Sequence, residues 1–206
     1  MAAGRPRSGT GRVVLLNGVP RAGTTSIAQA MVGTADVATV NLGVDVAMAG
    51  LPTSLRPGIG LRPGGERPEL EPFVQAAYRA LFDSIAAHAR HGLDVVADLG
   101  IHDDHSTPLG IWRDGALRLT GVPTYVVGVH CTLDVVLRRR AEHPERYEVP
   151  DDGDVPIAAM RWEQAVHDPG WYDAEVDTST LGPDACATTI RAAIATTEPQ
   201  ALLRHI

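Results

Sequence analysis

Val13-Val14-Leu15-Leu16-Asn17-Gly18-Val19-Pro20-Arg21-Ala22-Gly23-Thr24-Thr25 is the stretch that decides the fold. Its first five residues form a short apolar run closed by an amide, the pattern of a strand buried on both faces. A glycine-rich turn follows, and Thr25–Met31 reads as a helix. A turn in that setting aims backbone N–H groups at an anion and adds the partial positive charge of a helix N-terminus. The spacing matches the phosphate-loop pattern G-x-x-x-x-G-K-[ST] at Gly18, Gly23 and Thr25, but Thr24 stands where the lysine belongs. The plain alternative is a glycine-rich turn that holds nothing. The matching strand and helix on either side favour a phosphate loop, with Gly18, Val19, Pro20, Arg21, Ala22, Gly23, Thr24 and Thr25 as its binding residues.

Outward from the loop, Val37–Leu42, Leu93–Asp98, Thr124–Val129 and Glu175–Thr178 read as further strands. Phe73, Val74, Ala77, Leu81 and Ile85 recur at helical spacing and predict an amphipathic helix to about Arg90. Leu133–Glu142 predicts another, with Asp134 early and Arg138, Arg139 and Arg140 late, in keeping with the helix dipole. Pro183 opens a last helix to about Ile194. Strands alternating with helices predict an α/β fold: a P-loop NTPase-type parallel five-stranded sheet with helices on both faces. A small lid is expected at about 138–156, a flexible tail over residues 1–12, and a single domain over 13–206. The stretch from Pro52 to Pro72 is crowded with Pro, Gly and Arg, which excludes regular structure and suggests a binding loop.

The chain has 206 residues and a formal net charge of −7, which argues against a nucleic-acid partner. All 18 of its basic residues are arginine. No lysine ammonium can therefore meet a phosphate anywhere in the chain. Arg21 lies within the loop and is placed to reach the same oxygens, although a planar guanidinium is not equivalent to an ammonium. Cys131 and Cys186 form no CxxC pair, which speaks against a disulfide framework or structural zinc. Neither a signal-like apolar segment nor a membrane-length apolar run is present, so a cytoplasmic protein without a membrane partner is expected.

Taken together, the segments resemble the chloramphenicol phosphotransferase family of small P-loop kinases. The matching pieces are the loop itself, Leu42-Gly43-Val44-Asp45, Val95-Val96-Ala97-Asp98, Val127-Gly128-Val129-His130-Cys131 and Tyr172-Asp173-Ala174-Glu175-Val176-Asp177-Thr178, in the family's order. The resemblance implies an ATP- or GTP-dependent enzyme that phosphorylates a hydroxyl of a small antibiotic-like molecule. It maps the family's catalytic base onto Asp45. A carboxylate just after a strand can accept the proton of an attacking hydroxyl, or simply cap the helix that begins there. Asp98 ends an apolar strand, where it would bind Mg²⁺ beside the Thr25 hydroxyl or cap the next segment. Of the arginines after Cys131, Arg139 and Arg146 best match those that reach the transferring phosphates from a lid.

His102-Asp103-Asp104-His105 looks like a metal cluster, but its place after the Asp98 strand suits the lining of an acceptor pocket better. His167 is expected to be a packed surface histidine, and Trp112, Trp162 and Trp171 core or wall residues. Two other functions compete. Pro20-Arg21-Ala22-Gly23-Thr24-Thr25 also looks like the 5′-phosphosulfate loop of sulfotransferases, which need no Mg²⁺. A nucleotide-binding protein whose transfer activity lapsed with the lysine is the third reading.

Overall fold

The structure, a computed structural model, describes residues 4–142, 157–168 and 170–206. Strand β1 (Val13–Asn17) lies at the centre of the sheet, and all five of its residues are buried. Side chains alternate along a strand, so Val13 and Leu15 face one layer of core while Val14 and Leu16 face the other. β3 (Asp94–Leu99) flanks β1 on one side and β4 (Thr124–His130) on the other. β2 (Thr39–Asn41) and β5 (Ala174–Asp177) complete the order β2-β3-β1-β4-β5, with every pairing parallel.

Parallel neighbours need crossover connections, and helices supply them. They are α1 (Thr24–Gly33), α2 (Val44–Ala49), α3 (Glu71–Arg90), α4 (Ile111–Arg118), α5 (Leu133–Ala141), α6 (Ile157–His167) and α7 (Pro183–Thr196). α3 and α4 cover one face, where Phe82 and Ile85 join Val13, Leu15 and Ala97. α1 and α7 cover the other, where Ile27 and Ile190 join Val14, Leu16 and Val127. The expected α/β sheet is therefore present, strand for strand. Among the described residues, no helix is long and apolar enough to cross a membrane.

Five details depart from the sequence reading or fill it in. The second strand is shorter than Val37–Leu42, because Val37 instead forms a bridge with Arg5. Residues 4–12, expected as a flexible tail, are tied to the sheet: the Arg7 guanidinium donates to both Asp94 oxygens at 2.6 and 2.7 Å. Helices α4 and α6 were not read at all. The Pro/Gly/Arg stretch carries three short 3₁₀ turns, Thr53–Leu55, Gly58–Leu61 and Pro68–Leu70, and no longer element until α3. The expected lid begins on α5, and its remainder, Arg146 included, lies outside the described residues.

Phe82 joins the α3 face to α4. Its ring is fully buried and lies directly against the α4 backbone at Gly115. Phe82→Ala is expected to cost about 3–5 kcal/mol in urea unfolding, the range for truncating a buried aromatic. An unchanged midpoint would remove Phe82 from the core.

Candidate functional site

The phosphate loop is rooted in Asn17, the polar end of an otherwise apolar strand. Its side chain is buried, accepting the Ile101 N–H at 2.8 Å and donating to the Val166 carbonyl at 2.9 Å. One amide thus fixes the segment after β3 and the end of α6 against the start of the loop. Beyond it the chain turns tightly, with Ala22 N–H donating to Val19 O at 2.9 Å. Arg21 and Gly23 adopt left-handed backbone, at φ 76° and 104°. Glycine takes that conformation freely; for Arg21 it carries a cost of about 1–2 kcal/mol that the surroundings must offset.

Those surroundings are on α5. Arg139 Nη1 donates to Arg21 O, Ala22 O and Thr178 Oγ1, each at 3.1 Å, and its Nη2 donates to Thr178 O at 3.0 Å. The Thr178 hydroxyl in turn donates to Ala22 O at 2.5 Å. Arg140, also buried, donates to Pro20 O at 3.4 Å and lies over the Trp162 ring. Three consecutive loop carbonyls are thereby turned toward α5. Carbonyl oxygens repel an anion, so this arrangement keeps the negative ends of those peptides off an incoming phosphate. Arg139 was expected to reach the transferring phosphates; in the structure its guanidinium braces the loop backbone.

Two carboxylates meet the other side of the loop. Asp98, near the end of β3, is buried and accepts the Thr25 hydroxyl at 2.6 Å. Gly43 explains how Asp98 reaches this position: a Cβ there would fall 1.6 Å from Asp98 Oδ1. The Gly-Val-Asp segment is therefore a turn without a side chain that admits one aspartate, followed two residues later by a second. Burial pushes the Asp98 carboxyl above the usual carboxylate range; the Thr25 hydrogen bond opposes this, and the charge of Asp45 adds to it. Asp45 is exposed in the first turn of α2, whose N-cap is Gly43 with no side-chain capping bond. Among the described residues Asp45 is not used as a cap.

The loop, Asp45, Asp98, Tyr78 and Trp162 border one cleft of about 800 Å³. That is the size of a cavity for a nucleotide or a drug-like molecule. A buried carboxylate beside a hydroxyl and a second carboxylate is a set of hard oxygen donors, which fits Mg²⁺.

The His102–His105 segment serves structure. His102 Nε2 lies 2.9 Å from Leu61 O, and burial pushes its pKa down toward the neutral imidazole. Asp104 takes the Arg161 fork of α6 at 2.5 and 2.8 Å, while Ser106 N–H donates to buried Glu71 at 2.7 Å. His102 and Asp104 thereby tie the Pro/Gly/Arg stretch and α6 to the segment after β3, and Ser106 ties α3 to it. Trp112 is core, Trp162 is cleft wall, and Trp171 is exposed. Cys131 and Cys186 are buried free thiols.

Residues 11–195 match the family of chloramphenicol phosphotransferase-like proteins. A Mycobacterium tuberculosis protein provisionally named an O-phosphotransferase is 28% identical over 192 residues, spanning 86% of this chain and 78% of its own. The tunicamycin resistance protein of Deinococcus radiodurans superposes with a TM-score of 0.59 at 19% identity, over 92% of this chain and 99% of that one. Shikimate kinase from Acinetobacter baumannii, solved in complex with shikimate, gives 0.59 at 12% identity, over 91% and 94%. At such identities the two structures speak for the fold, which is that of the P-loop kinases.

Arg139→Met keeps the apolar stem and leaves buried acceptors of the loop without a donor. It should lower unfolding stability by about 1–3 kcal/mol, while Arg138→Met, on the exposed side of the same helix, stays within about 0.5 kcal/mol. Equal effects of the two substitutions would refute the brace.

Proposed function

Because the chain belongs to the chloramphenicol phosphotransferase-like family, we propose that it transfers the γ-phosphoryl group of ATP, or GTP, to a hydroxyl of a small antibiotic-like molecule, with Asp45 as general base. The observation that carries this reading is the shared cleft: the Gly18–Thr25 loop, the Thr25–Asp98 pair and Asp45 all border it.

The loop amides and the N-terminus of α1 bind the donor's phosphates. Thr25 and Asp98 would hold Mg²⁺, whose charge offsets that of the β- and γ-phosphates. Val44, Leu61 and Tyr78 line the cleft beside Asp45 and give it an apolar wall for an acceptor. The acceptor hydroxyl gives its proton to the Asp45 carboxylate as its oxygen bonds to the γ-phosphorus. The bond from that phosphorus to the β–γ bridging oxygen breaks, and the nucleoside diphosphate leaves. Arg21 lines the cleft and is the loop's own cation, in the absence of a lysine. Arg139 acts by holding the loop, and Arg146 retains the phosphate-reaching role that the family pattern assigns to it. A donor of this kind is available in the cytoplasm.

The Thr25–Asp98 pair favours a phosphoryl donor over a sulfuryl one, since sulfuryl transfer has no use for a divalent cation. Thermal titration with ATP, GTP and phosphoadenosine phosphosulfate, with and without Mg²⁺, tests this directly. Mg-nucleotide alone should raise the melting temperature; stabilisation by the sulfated donor alone would overturn the phosphotransferase reading.

Asp45→Asn should reduce phosphorylation of hydroxylated antibiotics by about 10²–10⁴-fold while Mg-ATP still stabilises the fold. Undiminished turnover would remove Asp45 as base. Thr24→Lys restores an ammonium to the loop and should raise kcat. A kcat at or below that of the parent chain would show that the arginines already supply the missing charge.

A further inference from the structure

A second cluster of ligand-type side chains lies outside the cleft machinery. His130 ends β4, and Glu163 and His167 sit one turn apart on α6. One ligand atom from each lies within 4.8 Å of the others. The His130 and His167 rings stack face to face with centroids 4.2 Å apart.

The hydrogen bonds around the cluster fix what it presents. His167 Nδ1 lies 2.7 Å from the Tyr172 hydroxyl, which also lies 3.4 Å from Val166 O. The tautomer with its proton on Nδ1, directed at Tyr172, leaves the His167 Nε2 lone pair for a metal. That nitrogen is buried without a hydrogen-bond partner and faces Glu163 Oε1 at 3.7 Å. Glu163 Oε2 is buried and unpartnered as well. His167 Nε2 and Glu163 Oε2 are thus buried polar atoms without a hydrogen-bond partner beside His130, and a cation held by the three side chains would satisfy both.

We propose that His130, Glu163 and His167 form a site for a divalent transition metal, zinc in preference to magnesium. Two imidazoles and one carboxylate are the borderline-soft donors zinc selects, whereas Mg²⁺ prefers all-oxygen shells. Zinc bonds run to about 2.0–2.2 Å, and side-chain rotation is enough to draw these atoms in. Tyr172 at His167 Nδ1 and Glu175, 2.8 Å from His130 Nε2, are the outer partners that orient metal-bound histidines. The ion would fasten α6 to β4, next to the turn of α6 that carries Trp162 into the cleft. The site is independent of the phosphotransferase reading and of the oxygen pair at Thr25 and Asp98.

The test uses the full chain after chelator treatment, titrated with Zn²⁺, Co²⁺ or Mg²⁺. One equivalent of Zn²⁺ should bind by calorimetry and raise the melting temperature, Co²⁺ should develop the visible absorption of a low-coordinate nitrogen–oxygen site, and Mg²⁺ should do neither. His167→Ala and the near-isosteric Glu163→Gln should each abolish the cobalt spectrum. Tyr172→Phe should weaken zinc by about 10–100-fold, as loss of an outer partner does. His105→Asn, in the other histidine cluster, should leave zinc binding intact. The proposal fails if neither zinc stabilisation nor a cobalt spectrum appears, or if both persist in Glu163→Gln. The folded state of that variant is checked by its urea midpoint.

Discussion

The parallel register of β1 on β3 is the constraint from which the site follows. Leu16 pairs with Asp98, and along β3 Val96 and Asp98 share the face that α1 covers. A slip of one residue would turn Asp98 to the α3 face, among Val95, Ala97 and their neighbours. In the observed register Asp98 arrives under the first turn of α1 and meets the Thr25 hydroxyl at 2.6 Å. A buried carboxylate in such a place is tolerable only with a hydrogen-bond donor and a ready counter-charge. Gly43, which lacks the side chain that would expel Asp98, brings the β2–α2 turn and Asp45 to the same point. Strand register, one hydroxyl and one missing Cβ together assemble the oxygen-rich side of the cleft.

The opposite side is built from guanidinium groups, and this bears on a chain with 18 arginines and no lysine. A lysine ammonium is a compact point charge that can extend to a phosphate. An arginine fork is better matched to several fixed acceptors in one plane. Arg139 satisfies two loop carbonyls and both oxygens of Thr178, and Arg140 takes a third carbonyl. Positive charge at this loop therefore acts first on the shape of the backbone. The left-handed Arg21 is held from behind by the same contacts, so its strained backbone and the α5 arginines form one device.

The sheet was legible because its strands are apolar runs bounded by turn residues, and the loop because glycines, strand and helix coincide. Asp45 and Asp98 were visible as strand-end carboxylates. What a sequence pattern could not show is where side chains go once distant segments meet. Arg139 reaches Ala22 across 117 residues, and Asn17 reaches Val166 across 149. The family resemblance placed Arg139 among lid cations; in the structure its guanidinium lies on the loop backbone. Helix α4 is hard to read from the sequence because it is only eight residues long and holds Gly115, although Ile111, Trp112 and Ala116 form a buried stripe. In α6 the buried residues Ala159 and Val166 stand seven positions apart, a sparse stripe that leaves little helical signal in the sequence.

Helix α6 meets the site and its surroundings at several points. Its Val166 carbonyl takes the Asn17 amide at the root of the loop, and its Arg161 holds Asp104 in the segment after β3. Its Trp162 lies under Arg140 and on the cleft wall, and its His167 is linked to Tyr172 beside β5. A short helix anchored at four separate points transmits displacement at any of them to the others, because a packed interior deforms little. Residues with no phosphate contact, such as Asn17 and Tyr172, thereby acquire influence over the geometry of the loop. The position of α6 is thus a property of the site as much as of the fold, and whatever fixes its end, protein side chain or metal ion, also sets the shape of the cleft.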